Sequence, residues 1–188
     1  MILEGLVTTT DPSGRMHLAA MGPQVDDAAG QIERLLLKPF ASSQTAGNLG
    51  RLPEGVFHVT DDALLLARVV TGTLAEPPSC RPATALRGWV LNDACRSYEF
   101  QVVEADASQD RQRLEARVVA VHEGRPFVGF NRARHAVVEG AILVTRLHLL
   151  GAEEVQRRFR ELAVLVEKTG GPREHEAFAL LERRVAAG

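Results

Sequence analysis

The chain has 188 residues, of which 45% are hydrophobic and 24% charged, with a formal net charge of −2. That length suits one domain, or one domain with a small appendage, and buries about two thirds of the unfolded surface. Near-neutral charge, with no basic stripe carrying interleaved aromatics, argues against nucleic acid or an anionic membrane as partner.

The segment Met1–Asp11 has neither the basic region nor the long apolar core of a signal peptide, and no apolar stretch approaches the roughly 20 residues that span a bilayer. The runs "EGLVTTTD" and "MHLAAMGPQV" flank "PSGR", where Pro12 and Gly14 predict a hairpin turn. "QIERLLLKPF" is a third predicted strand and "EGVFHVT" a fourth. Between them, a short helix starts near Ser42–Thr45. "DDALLLARVV" predicts a second short helix capped by Asp61 or Asp62. Thr73–Leu86, rich in Pro, Ala and Thr, reads as a loop. "RGWVLND", "RSYEFQVVEADAS" and "RLEARVVAVHEGR" add two or three strands.

From Asn131 the period changes. "NRARHAVVEGAILVTRLHLLG" is apolar on most sides of a helical projection, as in a buried helix. Its Arg132, His135, Glu139 and Arg146 fall within about 60° of one another at 3.6 residues per turn. Charges on a buried helix need partners; an internal ion network, a subunit interface and a bound anion all satisfy that need. "AEEVQRRFRELAVLVEK" carries Val155, Phe159, Leu162 and Val166 along one stripe, and "TGGP" ends it. "PREHEAFALLERRV" begins at its proline and carries Phe178, Leu181 and Val185. An antiparallel barrel over residues 1–128 followed by a helical extension over 129–188 is the expected architecture. Cys80 and Cys95 have neither a CxxC nor a zinc spacing, so reduced thiols in a cytoplasmic protein are expected.

Ser42, Ser43, Gln44 and Thr45 crowd one helix start. Unpaired N–H groups and about half a positive charge make such an end receptive to phosphate, and Lys38 just upstream offers countercharge. The same residues also cap a helix with no ligand at all, contributing about 1 kcal/mol. Small Ala19 and Ala20, then Met21, Gly22 and Pro23, would let a flat ring approach a strand backbone; a strand edge or bulge reads the same way. Thr60 ends a strand where its hydroxyl could reach a ligand, beside Asp61. The nucleophile elbow, HExxH, P-loop and GxGxxG patterns are absent, and the six histidines show no metal-ligand spacing. A redox cofactor would remove the need for such a constellation.

The stretches "GLVTTTDPSGRMHLAAMG", "SSQTAGNL", "VFHVTDD" and "GFNRARHAVVEGAILVTRLHLL" together resemble a family of unknown function numbered four hundred and forty-seven. That family occurs in methanogens and in bacteria with methanopterin-linked one-carbon metabolism. The likeness spans nearly the whole chain. Its most specific piece is Asn131-Arg132-Ala133, then Glu139, then Thr145-Arg146-Leu147; Ser43, Thr45, Asn48 and Leu49 form a shorter element. The resemblance implies a mainly β (α+β) fold, a split β-barrel of the flavin-reductase type with a C-terminal helical extension. It implies FMN as cofactor, with the phosphate at Ser42–Thr45, the isoalloxazine over Ala19–Gly22 near a homodimer interface, and Thr60 and Asp61 bordering the ribityl chain or ring. Where the family tends to have Ala-Pro-Met-Gly, this chain has Ala19-Ala20-Met21-Gly22, which alters the backbone under the ring. An FMN-dependent oxidoreductase or accessory enzyme acting on an unassigned small molecule is one implied function; a non-catalytic dimeric flavin-binding protein is the other.

Overall fold

The computed structural model describes residues 1–26 and 31–187. The chain divides into two compact units, Met1–Thr60 with Pro77–Pro126, and Asp61–Glu76 with Phe127–Gly188. The helical unit thus takes in residues 61–76, a segment the sequence reading leaves with the first 128.

In the first unit, β1 (Gly5–Thr10) and β2 (Met16–Met21) form the hairpin expected around Pro12 and Gly14. Asp11 sets the turn: its Oδ1 accepts from Ser13 N at 2.8 Å and Arg15 N at 2.9 Å, and Gly14 takes φ +84°. The run "MHLAAMGPQV" is two strands, because Gly22-Pro23 interrupts it before β3 (Gln24–Val25). Of "QIERLLLKPF" only β4 (Arg34–Leu37) is strand. Then come α1 (Gln44–Arg51), β5 (Glu54–Val59), β6 (Cys80–Pro82), β7 (Trp89–Leu91), β8 (Arg96–Asp106) and β9 (Arg113–Glu123). The expected loop at Thr73–Leu86 therefore contains a short strand, paired to β7.

Seven strands make one antiparallel sheet in the order β2-β1-β5-β8-β9-β4-β3. The sheet curls closed because β3 also meets the chain just before β1: Ile2 bridges Gln24, and Leu3 N donates to Pro23 O. Val7, Leu35, Leu37, Phe57, Tyr98, Phe100 and Leu114 fill the inside. Gly55 is required there, since a Cβ would stand 2.6 Å from the Phe100 ring. This is the split-barrel, α+β architecture.

The other face of β1, β5 and β8 carries Thr8, Val56, His58, Ser97 and Glu99, all buried. The β6–β7 hairpin and its loop supply partners for Thr8, His58 and Glu99. Thr8 Oγ1 donates to Trp89 O at 2.6 Å, and Leu91 N donates to His58 Nε2 at 3.0 Å. Glu99, fully buried, accepts from Thr84 N, Thr84 Oγ1, Ala85 N and His122 Nε2.

In the second unit, α2 (Ala63–Thr71) is capped by Asp62, whose side chain accepts from Leu65 N. The predicted long helix is α3 (Arg132–Thr145), capped by Asn131, and then the short α4 (Leu147–Leu150). α5 (Ala152–Thr169) and α6 (Pro172–Ala186) follow. Small residues of α3, Ala133, Ala136 and Gly140, are buried against its neighbours, beside the Phe159–Phe178 ring pair at 5.3 Å. No helix among the described residues is long and apolar enough to cross a membrane.

Candidate functional site

The start of α1 is a capped helix end that still has donors to spare. Ser43, in extended conformation, accepts from Ala46 N at 3.2 Å through Oγ, and Gly47 N reaches Ser43 O. Among the described residues, the N–H groups of Gln44 and Thr45 have no internal acceptor. They are the first-turn donors to which an anion binds. Ser42 and Gln44 are exposed beside them.

One face of α1 is tied to the β1–β2 hairpin at every turn. Thr45, 2% exposed, places Oγ1 3.3 Å from His17 Nε2 on β2. Asn48 Nδ2 donates to Thr9 Oγ1 at 2.9 Å, and Arg51 Nη2 to Thr10 O at 2.5 Å. The side chains of Thr45 and Asn48 thus fix where the helix end sits. Burial holds the His17 imidazole below its ordinary pKa, against the Asp11 charge that raises it.

The approach to α1 is clipped to the β8–β9 turn. Ala41 N donates to Asp110 O at 2.8 Å, Gln112 N to Pro39 O at 3.0 Å, and Ser43 N to Phe40 O at 2.9 Å. Arg111 lies over the Phe40 ring, 4.1 Å from its centroid. The Arg111 guanidinium thus rests on Phe40, which precedes the Ser43 cap by three residues, and exposed Lys38 precedes it by five.

Along β2, Ala19, Ala20 and Met21 are all half-buried, as is Gly22 beyond the strand's end. Residues 16–21 pair only with β1, so the outer backbone edge of β2 lies outside the ladder. No side chain fits at Gly22, where a Cβ would stand 2.7 Å from the Glu4 carboxylate. The structure brings α1 and β2 together on one barrel flank. Thr60 is half-buried at the end of β5. Asp61, with a side chain 3% exposed, is engaged within the helical unit, pairing with Arg134 Nη1 at 3.2 Å and accepting from Val128 N at 2.9 Å.

The polar stripe on α3 differs from the reading of a buried charged helix. Arg132, His135, Glu139 and Arg146 are exposed, and Arg146 already lies at the cap between α3 and α4. The buried ion network uses Arg134 instead, whose Nε reaches Glu174 at 2.9 Å. The helix packs through one side only, burying Ala133, Ala136, Val137, Gly140, Ala141, Leu143 and Val144, and leaves the polar side to solvent. His17, Arg51 and Arg111 were not singled out from sequence. Arg111 lies in a polar turn that gives no local signal, and His17 reads from sequence only as one residue of a strand; its place opposite Thr9 comes from the register of the hairpin. Among the described residues no group of three or more His, Cys, Asp or Glu could hold a metal.

Residues 3–125 match the model described as "Protein of unknown function (DUF447) N-terminal domain", and residues 131–183 match "Protein of unknown function (DUF447)". No curated protein matches the sequence significantly. Among solved structures, an FMN-bound DUF447 protein of Methanosarcina mazei superposes with TM-score 0.82 at 20% identity, covering 97% of this chain and 94% of that one. The styrene monooxygenase flavin reductase of Pseudomonas putida gives TM-score 0.56 at 14% identity, over 66% of this chain and 82% of the other. An FMN-binding protein of Thermus thermophilus gives 0.51 at 17%, over 66% and 76%.

Proposed function

This chain belongs to the DUF447 family of proteins of unknown function, and from that premise we propose that its split barrel binds FMN. The phosphate sits at the start of α1, and the ring lies along β2 over Ala19–Gly22. The observation that carries the reading is the pair of first-turn N–H groups, Gln44 and Thr45, that have no acceptor among the described residues. Ser42 and Ser43 hydroxyls add donors there, and Lys38 and Arg111 add charge. FMN-bound and flavin-reductase neighbours of the same fold support the choice of ligand.

Bound FMN would supply hydride and electron transfer. The chain's own part is to hold the ring against the free edge of β2 and the phosphate against α1, and to keep both in register through Thr45, Asn48 and Arg51. We favour a flavin-dependent oxidoreductase. The non-catalytic binder is the second reading, supported by β2's Ala19, Ala20, Met21 and Gly22, which bring no titratable group to the ring. A homodimer is supported by the apolar Phe127, Val128 and Phe130, exposed at 49%, 73% and 103%. A link to methanopterin-dependent one-carbon metabolism rests on family resemblance and bears only on the physiological acceptor.

Two steps test this. Purified protein should be yellow and release FMN on denaturation; colourless protein that also fails to take up added FMN rejects the ligand. Anaerobic NADH or NADPH should then bleach the flavin. Flavin that stays oxidised with both donors favours the binder.

A further inference from the structure

β4 and β9 run antiparallel with Arg34 directly opposite Arg117 and Leu36 opposite Glu115. Opposed residues share a face, and like charges placed so repel. Together with Val103 and Arg113 these side chains line a groove of about 490 Å³, within the range of small-molecule sites of about 300–1,000 Å³.

Neither acid of the groove neutralises the arginine pair. Glu115 Oε1 is taken by Arg113 Nη2 at 2.7 Å, and Asp26 Oδ1 accepts from the backbone N–H groups of Glu33 and Arg34. Arg117's other cross-strand neighbour is Gln101. Among the described residues neither Arg34 nor Arg117 has an ion-pair partner, although carboxylates satisfy many other arginines of the chain. Two guanidinium side chains at directly paired positions of one groove suit a dianionic phosphate, each able to donate two hydrogen bonds. Leu36 and Val103 offer apolar surface to whatever carries that phosphate.

We infer that this groove is a second binding site, separate from the start of α1, for a phosphomonoester with a small apolar or planar body. The phosphate bridges Arg34 and Arg117, and the body lies on Leu36 and Val103. Binding relieves the cross-strand repulsion between Arg34 and Arg117.

The test titrates phenyl phosphate, with inorganic phosphate for comparison, into FMN-saturated protein at low ionic strength. Phenyl phosphate should bind at one saturable site. Arg34→Gln and Arg117→Gln should each weaken it at least tenfold, and inorganic phosphate should bind several-fold more weakly. Should FMN fail to saturate the protein, the same titration without it still isolates the groove, through the difference between the wild type and the two variants. Thermal unfolding reads the repulsion directly. Without probe, Arg117→Gln should unfold at or above the wild-type temperature; with probe, only the wild type should gain stability. Absence of saturable binding, equal affinity in the variants, or equal affinity for the two probes would overturn the inference.

Discussion

At the residue scale, the fold spends its polar burial on holding elements in place. His58 shows this best. Its Nδ1 lies 3.3 Å from Leu6 O and its Nε2 accepts from Leu91 N, which fixes the neutral, Nδ1-protonated ring. Burial pushes its pKa down from 6.5 to about 4, although hydrogen bonds to backbone oppose the shift. Between those values the unfolded chain binds a proton that the folded chain does not. Stability from this group is therefore complete above about pH 6.5 and is lost as pH falls toward 4, by about 3 kcal/mol in all. Urea unfolding between pH 7 and 4 checks it: His58→Gln should be less stable at pH 7 but show a shallower loss on acidification than the wild type. An unchanged slope would contradict the assignment. Glu99 acts lower on the scale. Burial raises its pKa, but its four hydrogen bonds outweigh that and hold it below the ordinary carboxylate value, so its stabilisation fades only as pH falls below about 4.5. Neither residue could be placed from sequence. A lone histidine or glutamate in a strand looks the same whether it faces water or a covering hairpin.

At the element scale, most pieces were legible where local chemistry decides them. The Asp11–Gly14 turn, the Asp62 and Asn131 caps, the Pro172 start and the apolar stripes of α5 and α6 all follow from residue type and spacing. Boundaries failed where tertiary pairing decides. Gly22-Pro23 splits what reads as one strand because the chain turns there to pair with residues 1–3, and β6 exists only because β7 is its partner. The α3 stripe reads as buried because apolar residues surround it in projection, whereas only one side of the helix packs, through residues such as Ala136, Val137, Gly140 and Val144. What anchors this unit is Arg134, which pairs with both Asp61 and Glu174. Arg134→Ala should destabilise the protein by about 1.5–3 kcal/mol, because it removes the charge-assisted hydrogen bonds that the guanidinium donates to Asp61 and Glu174. Chemical denaturation monitored by circular dichroism measures this; a loss below about 1 kcal/mol would place the pair with ordinary surface bridges.

At the scale of the whole molecule, fold class was legible because strand periods fill the first two thirds and helical periods the last, and the resemblance then narrowed the barrel to the split type. The interleaving of the units was not. Asp61–Glu76 joins the C-terminal helices through long-range pairs such as Arg68–Glu176 and Arg173–Asp62, which no local pattern announces. Of the candidate site, the helix end was legible as a motif, whereas its tethers to β1 and β2 and the neighbouring Arg111 required the folded chain. If the exposed Phe127, Val128 and Phe130 pack against a second copy, Phe130→Asp should convert a dimer to a monomer in light scattering while the circular dichroism spectrum holds. A wild type that is monomeric at micromolar concentration would contradict the dimer.

In the function proposed above, backbone donors at the start of α1 grip the phosphate of a flavin nucleotide. Comparing FMN with riboflavin, which lacks only that phosphate, tests it most directly by fluorescence titration of the apoprotein. FMN should bind at least about a hundredfold more tightly, since two or more charge-assisted hydrogen bonds of about 1.5–3 kcal/mol each are at stake. Equal affinity for the two flavins would contradict it.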